Sequence, residues 1–430
     1  MAFGVAVFAV TGLLMLPVAA EPGLSTGFRE AFFTATSAVC VTGLAVVDTP
    51  THWSLFGELV ILVGIQAGGF GIMTLASLLA LLTSRRMGLR SRLLTRWETK
   101  AEGLGDVRRV LRGVARTTFL IEAVVALVLT ARFWLGYDMP LGPAAYRGLF
   151  HAVSAFNNAG FSLFSNNLMG FTTDPWVSLP IAGAVILGGL GFPVLFELRR
   201  ELRQPRTWSL HTKTVLLTYF LLLFVGASLI TAFEWTNPAT LGPLQWPGKL
   251  LAGFFQAVQP RTAGFNSVDY GAMNATSLLV TDGLMFIGGA SASTAGGIKV
   301  TTFMVLFFAI VAEVRGEPHV DAFDREVPSA VLRQALTVAL LGVALVVGGT
   351  LALLAVSGEP LDRVLFEVIS ASSTVGLSTG ITAGLPPAGH YLLVVLMFLG
   401  RIGPVTLATA LAVRERSRLY RRPEERLLVG

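Results

Sequence analysis

Apolar positions along this chain run together rather than alternate, and the runs fall in pairs. Several hold 18 or more residues with few or no charges, enough to cross the ~30 Å hydrocarbon core of a bilayer as a helix. The first members of the pairs cover roughly 2–20, 117–135, 214–233 and 335–356. The second members cover roughly 55–82, 177–198, 278–313 and 391–413. Between the two members of each pair lies a shorter, more polar segment, at 28–42, 146–159, 249–263 and 363–375. These middle segments are too short and too polar to span alone. Each predicts a re-entrant half-helix followed by extended chain, which membrane depth tolerates only where it is buried in protein or lines a water-filled cavity. The pattern predicts an all-α integral membrane protein: eight spanning helices in four helix–re-entrant loop–helix repeats.

Two weak sequence marks recur in every unit. The first is SAVCVTGL (Ser37–Leu44), SAFNNAGF (Ser154–Phe161), QPRTAGF (Gln259–Phe265) and SASSTVGL (Ser370–Leu377), aligned on Gly43, Gly160, Gly264 and Gly376. The second is GGFG from Gly68, GGLGFP from Gly188, GGAS from Gly288 and GRIGP from Gly400. The two marks lie 25, 28, 24 and 24 residues apart in the four units. Near-constant spacing makes the pair far more specific than either alone. The expected organisation is repeat 1 at 1–84, a basic connection at 85–116, repeat 2 at 117–200, a connection at 201–213, repeat 3 at 214–313 with an interrupted second helix, a loop at 314–334, repeat 4 at 335–413 and a basic tail at 414–430.

Composition agrees. Hydrophobic residues make up 53% and charged residues only 13%, against about 25% charged in a soluble domain. The net charge of +6 would suggest nucleic acid in a soluble protein. Here the basic residues sit at the ends of apolar runs: 24 of 32 fall within 85–116, 199–213, 315–333 and 414–426. The positive-inside rule then puts both termini in the cytoplasm, with all four re-entrant segments opening outward. Arg29, Arg132, Arg147, Lys249, Arg261 and Arg363 fall on the outer side. The N-terminal apolar run lacks the basic residues a signal peptide needs and reads as a first membrane helix. Cys40 has no second cysteine to pair with, and the five histidines show no metal-ligand spacing.

Four re-entrant segments of one orientation predict pseudo-fourfold packing around one axis, where their ends meet. Those ends are Val41, Thr42 and Gly43; Asn157, Asn158, Ala159 and Gly160; Arg261, Thr262, Ala263 and Gly264; and Ser373, Thr374, Val375 and Gly376. None is a carboxylate, so a cation there would be held by backbone carbonyls replacing its hydration shell. Glycine permits the positive φ that turns carbonyls inward. The half-helices would aim their negative dipole ends at the ion.

Taken together, SAVCVTGL, SAFNNAGF, PRTAGFN, STVGL, GGASASTAGGIKVTTF and GRIGP resemble the superfamily of potassium transporters that includes the Ktr, Trk and HKT proteins, nearest to its Ktr (KtrB-type) membrane subunits. The resemblance covers nearly the whole chain. It implies four such repeats around one potassium pore, with a filter glycine in each at Gly43, Gly160, Gly264 and Gly376. Glycine rather than serine at Gly43 goes with potassium preference in that superfamily. The resemblance also implies a homodimer, seated in the cell membrane on a cytoplasmic ring of nucleotide-binding RCK subunits. Potassium would be the transported ion, and no cofactor would be covalently bound. This chain has no dinucleotide fingerprint or phosphate loop of its own, so nucleotide would act through that partner. The basic connection, the loop near 314–333 and the tail are the surfaces open to docking.

Two features break the repeat. Gly288, Gly289, Ala290, Ser291, Ala292, Ser293, Thr294, Ala295, Gly296 and Gly297 interrupt the second helix of the third unit, and Lys299 follows. Glycine costs about 1 kcal/mol in a helix interior, so a continuous helix is disfavoured there. The segment is neither a Walker loop nor a nucleophile elbow, because Ile298 precedes the lysine and Ser293 stands where a closing glycine belongs. Arg401 lies within the last helix, level with Gly69, Gly189 and Gly289 by repeat alignment. An ionised residue at that depth is a functional hypothesis by default. The resemblance makes the polar segment an intramembrane gate and Arg401 a barrier inside the pore. The other three units are expected to continue as helices through this level. Lys299 would either anchor the loop to a carbonyl or carboxylate or reach cytoplasmic water.

A coupled symporter of the same fold is the alternative. It needs a carboxylate site at depth, and Glu122, Glu197, Glu58, Asp282 and Glu313 all read as lying near helix ends. An intramembrane enzyme would need a His/Ser/Asp arrangement at depth, which the sequence does not offer.

Overall fold

The computed structural model describes residues 2–22, 24–86, 104–323 and 325–413. Most of the basic connection and the whole tail from 414 lie outside the described residues. The fold is helical. Among the described residues its sheet is a single short antiparallel hairpin, β1 (Asp321–Ala322) against β2 (Arg325–Glu326), in the 314–334 loop.

The helices are α1 (Ala2–Leu14), α2 (Phe28–Val39), α3 (Leu55–Arg86), α4 (Leu104–Gly136), α5 (Leu141–Phe156), α6 (Pro175–Leu190), α7 (Phe192–Glu201), α8 (Leu210–Glu234), α9 (Trp246–Val258), α10 (Ala275–Phe286), α11 (Val300–Arg315), α12 (Ser329–Ser357), α13 (Leu361–Ser372) and α14 (Pro387–Val413). One-turn helices such as Thr49–His52 connect them. Local chemistry sets several ends. Asp174 caps α6 by accepting from the Trp176 N–H at 2.9 Å, with Pro175 at the first helical position. Gly316 and Gly358 close α11 and α12 in the left-handed conformation.

Packing follows a cyclic order. Each of α1, α4, α8 and α12 lies against the short helix that follows it, α2, α5, α9 and α13 respectively. Each later helix then reaches the next short helix: α3 touches α5, α6 touches α9, α10 touches α13, and α14 returns to α2. The chain therefore closes on itself, with its four short helices inside.

Burial is inverted relative to a soluble bundle. The long helices keep large apolar side chains exposed, among them Phe119, Leu127, Phe220, Leu340 and Leu351. The short, more polar helices are the buried ones: Ser37, His151, Gln256 and Glu367 are all fully covered. That is the arrangement expected when the outer solvent is lipid. Among the described residues, four helices are long and apolar enough to cross a bilayer, five if α6 and α7 count as one bent span.

Several boundaries differ from the sequence expectation, and three of them have a structural consequence. The first helix ends at Leu14 rather than 20, because Pro17 opens a 3-10 turn, Pro17–Ala19, that cannot continue it. Helix α4 begins at Leu104, well before 117, so its polar first turns are helical too. The third difference matters most. The second helix of the second unit does not run through: it bends by 100° between α6 and α7. Gly191 sits there at φ 80°, ψ 151°, and Pro193 just beyond lacks the N–H that would continue the ladder.

Candidate functional site

Three of the four short helices end in the same turn. In α2 the Val41 N–H donates to Ala38 O (3.1 Å) and the Thr42 N–H to Ser37 O (2.8 Å). In α5 the Asn158 and Ala159 N–H groups donate to Ala155 O and Ser154 O (3.1 and 2.7 Å). In α13 Thr374 and Val375 donate to Ala371 O and Ser370 O (3.1 and 2.8 Å). This is the paired bonding of a Schellman cap. Its left-handed position holds Val41 (φ 55°), Asn158 (φ 59°) and Thr374 (φ 51°). A β-branched residue in that region is a genuine outlier, held here by complete burial. The serine six residues before each glycine supplies a further bond. Ser37 Oγ and Ser370 Oγ accept from Gly43 and Gly376 N–H at 3.0 and 3.1 Å, while Ser154 Oγ donates to Phe161 O at 2.8 Å.

After α9 the turn differs. Ala263 N–H donates to Gln259 O (3.0 Å) and Gln259 Oε1 accepts from Phe265 N–H (3.3 Å), yet Thr262 still adopts φ 67°. In all four, the glycine two residues on is also left-handed: φ 97°, 69°, 77° and 91° at Gly43, Gly160, Gly264 and Gly376. Alternating the sign of φ turns successive carbonyls toward one side.

The four glycines form a closed circuit. A Cβ built on Gly43 would meet Ala159 O at 2.4 Å; on Gly160, Ala263 O at 2.8 Å; on Gly264, Val375 O at 2.6 Å; and on Gly376, Thr42 O at 1.9 Å. Each glycine thus rests on the carbonyl preceding the next, and the fourth rests on the first. No side chain larger than hydrogen fits. The Thr42, Thr262 and Thr374 hydroxyls beside the circuit are buried and have no hydrogen-bond partner among the described residues. What the arrangement offers is main-chain oxygen, the donor type that replaces an alkali cation's water.

The second glycine mark has a packing reason. A Cβ on Gly68, Gly188 or Gly400 would stand 2.0, 2.1 or 1.9 Å from Val39 O, Phe156 O or Ser372 O. Those carbonyls all lie four residues before a circuit glycine. Glycine lets each long helix press against the end of its own short helix. The third unit is the exception: Gly288 rests on Gly296 O, within the interruption itself.

That interruption lies directly against the circuit. A Cβ on Gly296 would meet Thr374 Oγ1 at 2.1 Å and Ser373 O at 2.5 Å. The segment is tied to α6: Ala290 N–H donates to Gly189 O (2.9 Å), Thr294 N–H to Gly188 O (3.3 Å), and Phe192 N–H to Ala292 O (3.3 Å). The bend at Gly191 makes room for it, since a Cβ there would meet Ser291 O at 2.7 Å. Interruption and bend are one packed feature, so two units leave the helical path at this level instead of one.

Three cations hold the segment's carbonyls. Arg261 Nη1 donates to Ile287 O (2.8 Å), Arg401 Nη1 to Thr294 O (2.5 Å) and Lys299 Nζ to Ala295 O (2.5 Å). The break leaves backbone carbonyls outside any helix, Ile287 O at the end of α10 and Thr294 O and Ala295 O within the loop, and these side chains satisfy them. Lys299 therefore anchors to a carbonyl of its own loop. Arg261 is fully buried and turned toward this segment, not on the outer surface where charge counting places it; its guanidinium also lies 5.8 Å from the Tyr219 ring centre.

Sequence reasoning missed Glu122. The early start of α4 puts it well inside the helix rather than near an end, and only 3% exposed. Asn157 Nδ2 lies 3.1 Å from Glu122 Oε1 and 2.8 Å from Gln66 Oε1. A buried carboxylate thus touches the residue two positions before Ala159 of the circuit. Asp282 also lies within α10 rather than at its end, 5% exposed. The only available signal was a carboxylate five residues into an apolar run, which reads equally as a helix boundary. Among the described residues no His, Cys, Asp or Glu cluster has metal-site geometry.

A helical membrane protein whose innermost feature is a ring of main-chain carbonyls is the class this fold and site define. The chain belongs to the TrkH family of cation transport proteins, whose model matches residues 5–421. It is 41% identical to the Ktr system potassium uptake protein B of Bacillus subtilis, over 97% of this chain and 93% of that protein. It is also 41% identical to the protein of the same name from Vibrio alginolyticus, over 97% and 91%. The crystal structure of the potassium transporter TrkH from Vibrio parahaemolyticus shares the fold, with a TM-score of 0.73 at 18% identity over 95% of this chain and 84% of that one.

Proposed function

We propose that this chain is the potassium-translocating membrane subunit of a potassium uptake system, acting as a channel-like conductor. In this reading the chain is four helix–re-entrant–helix repeats around one pore, with eight crossings. The glycine circuit is its selectivity filter, with potassium held by carbonyls of Val41–Gly43, Asn157–Gly160, Arg261–Gly264 and Ser373–Gly376. The observation that carries it is the cyclic contact of the four glycines, each on its neighbour's preceding carbonyl. The potassium uptake proteins related to it over nearly its whole length support the choice of ion.

The 288–297 segment is the gate, lying across the path below the filter, and Arg401 is a barrier cation there. Both termini are cytoplasmic, and the protein sits in the cell membrane as a homodimer. A cytoplasmic RCK partner docks on the basic connection, the hairpin loop and the tail and controls the gate. The test is flux of potassium, rubidium and sodium into proteoliposomes, with and without a purified RCK ring. Failure to conduct potassium under either condition, with failure to rescue an uptake-deficient bacterium, sinks the reading.

One observation favours a second reading. Glu122, buried against Asn157, is the type of site a proton- or sodium-coupled symporter needs. Potassium movement driven by an imposed proton or sodium gradient alone, and lost in Glu122→Gln, would select it.

A further inference from the structure

Just outside the glycine circuit, three of the four extended segments are fastened to their own short helices by fully buried side chains. His151 and Glu367 both lie nine residues before a circuit glycine, and Ser162 and Ser378 both lie two residues after it. His151 Nδ1 is 2.7 Å from Arg147 O, so it carries the proton; Nε2 then accepts from Ser162 Oγ (3.0 Å) and the Leu163 N–H (3.4 Å). In the fourth unit Glu367 Oε1 accepts from the Ser378 hydroxyl and from Thr382 Oγ1, the latter at 2.5 Å. Ser162 and Ser378 each also accept the N–H two residues on, from Phe164 (3.1 Å) and Gly380 (2.9 Å). The two units thus place a clasp at the same two positions, with a second partner that differs: the Leu163 N–H in one and Thr382 Oγ1 in the other.

The third unit reaches the same end one position away. Gln256, turned so that its oxygen accepts from the Ser267 and Val268 N–H groups (2.9 and 3.0 Å), donates to Tyr270 OH at 2.6 Å. In the first unit the corresponding positions are Thr34 and Ala45. Thr34 Oγ1 is buried and has no hydrogen-bond partner among the described residues.

We propose that His151, Gln256 and Glu367 are positioning residues for cation discrimination: each pins the outer end of one filter arc to its helix, leaving only the first arc unclasped. The inference rests on the filter reading above. A filter separates cations of similar charge through the placement of its carbonyls, and buried hydrogen bonds from the short helix restrict that placement, although Glu367 Oε2 itself has no partner among the described residues. Glu367 is the strongest of the three because one carboxylate oxygen holds two hydroxyls on the same arc.

The test measures rubidium and sodium flux in proteoliposomes of the full-length protein, as a ratio and as separate KM and maximal rates. Glu367→Ala is expected to lower the rubidium-over-sodium ratio about tenfold, the equivalent of about 1.4 kcal/mol in relative binding. Ser378→Ala, a milder change, should lower it about threefold, and the double variant should fall no further than Glu367→Ala, since both act on one network. Glu367→Gln retains an acceptor oxygen and should restore most of the ratio. The unsubstituted protein's own ratio serves as the control. If it discriminates while Glu367→Ala and Ser378→Ala change only the maximal rate, the clasps are merely structural and the inference is overturned. If the unsubstituted protein shows no rubidium-over-sodium preference, the filter reading falls and takes the inference with it.

Discussion

The first, second and fourth units end their short helices alike, while the third keeps the left-handed residue and glycine but differs in its turn and in the helix that follows. Three share the Schellman turn, the serine bond and a long helix seated by glycine on a helix-end carbonyl. The third has Val258 where the serine stands and takes its side-chain bond from the next residue, Gln259, and it has a buried Arg261 and an interrupted second helix whose carbonyls are held by cations. A ring that conducts needs near-equivalent arcs, whereas a ring that opens needs an inequivalent one. The inequivalence is concentrated below the ring, where Gly296 meets Thr374 and where α6 bends to receive the same segment.

Four experiments break or sharpen that contrast. The largest effect is expected at the equivalent arcs. Gly376→Ala puts a methyl 1.9 Å from Thr42 O on a left-handed backbone, and should cut potassium uptake by about 100-fold or more, since neither clash nor strain can relax inside the ring. Uptake by membranes with matched protein levels checks it. Next comes the inequivalent segment. Deleting 290–297 should raise potassium flux without the RCK ring by about tenfold, because a barrier of about 1.4 kcal/mol is a factor of ten in rate. Flux that still requires the partner would place the gate elsewhere.

Removing one cation should do less. Arg401→Ala frees Thr294 O and discharges the level below the ring, and is expected to raise flux about fivefold, since an intramembrane charge of this type opposes cation passage. Single-liposome rubidium efflux reads this directly, and an unchanged rate counts against a barrier role. Arg261→Gln should give about a twofold rise, because its bond to Ile287 O ties only the start of the segment and a neutral amide can still donate to it. If Arg261→Gln proves as strong as Arg401→Ala, the two cations act as one latch and the third unit's difference is mechanical more than electrostatic.

Much of this was legible from the residues. Paired apolar runs with polar segments between them located α2, α5, α9 and α13 within a few residues, because a half-length, half-polar segment between two spans has few other fates. The spacing of Gly43 to Gly68 and its repeats marked positions that meet helix-end carbonyls, though the reason was not visible. The interruption after Phe286 was legible because glycine and serine weaken a helix locally. The bend at Gly191 was not: GGLGFP looked like its counterparts GGFG and GRIG, and only the neighbouring segment explains why this copy bends. Glu122 escaped because helix α4 continues through polar residues that end an apolar run without ending the helix. Arg261 was misplaced because charge counting assigns a side by sequence position, whereas a long side chain goes where unpaired carbonyls accept it.

Periodicity, spacing and the left-handed tolerance of glycine are local properties, and by themselves they determined the helical membrane class, the four related segments and the glycines at their ends. Which carbonyl each glycine rests on, and which loop oxygen Arg401 holds, depend on units lying about a hundred residues apart in the chain. Those contacts exist only once the circuit closes, because each carbonyl comes from a different unit. Tertiary structure alone decided them.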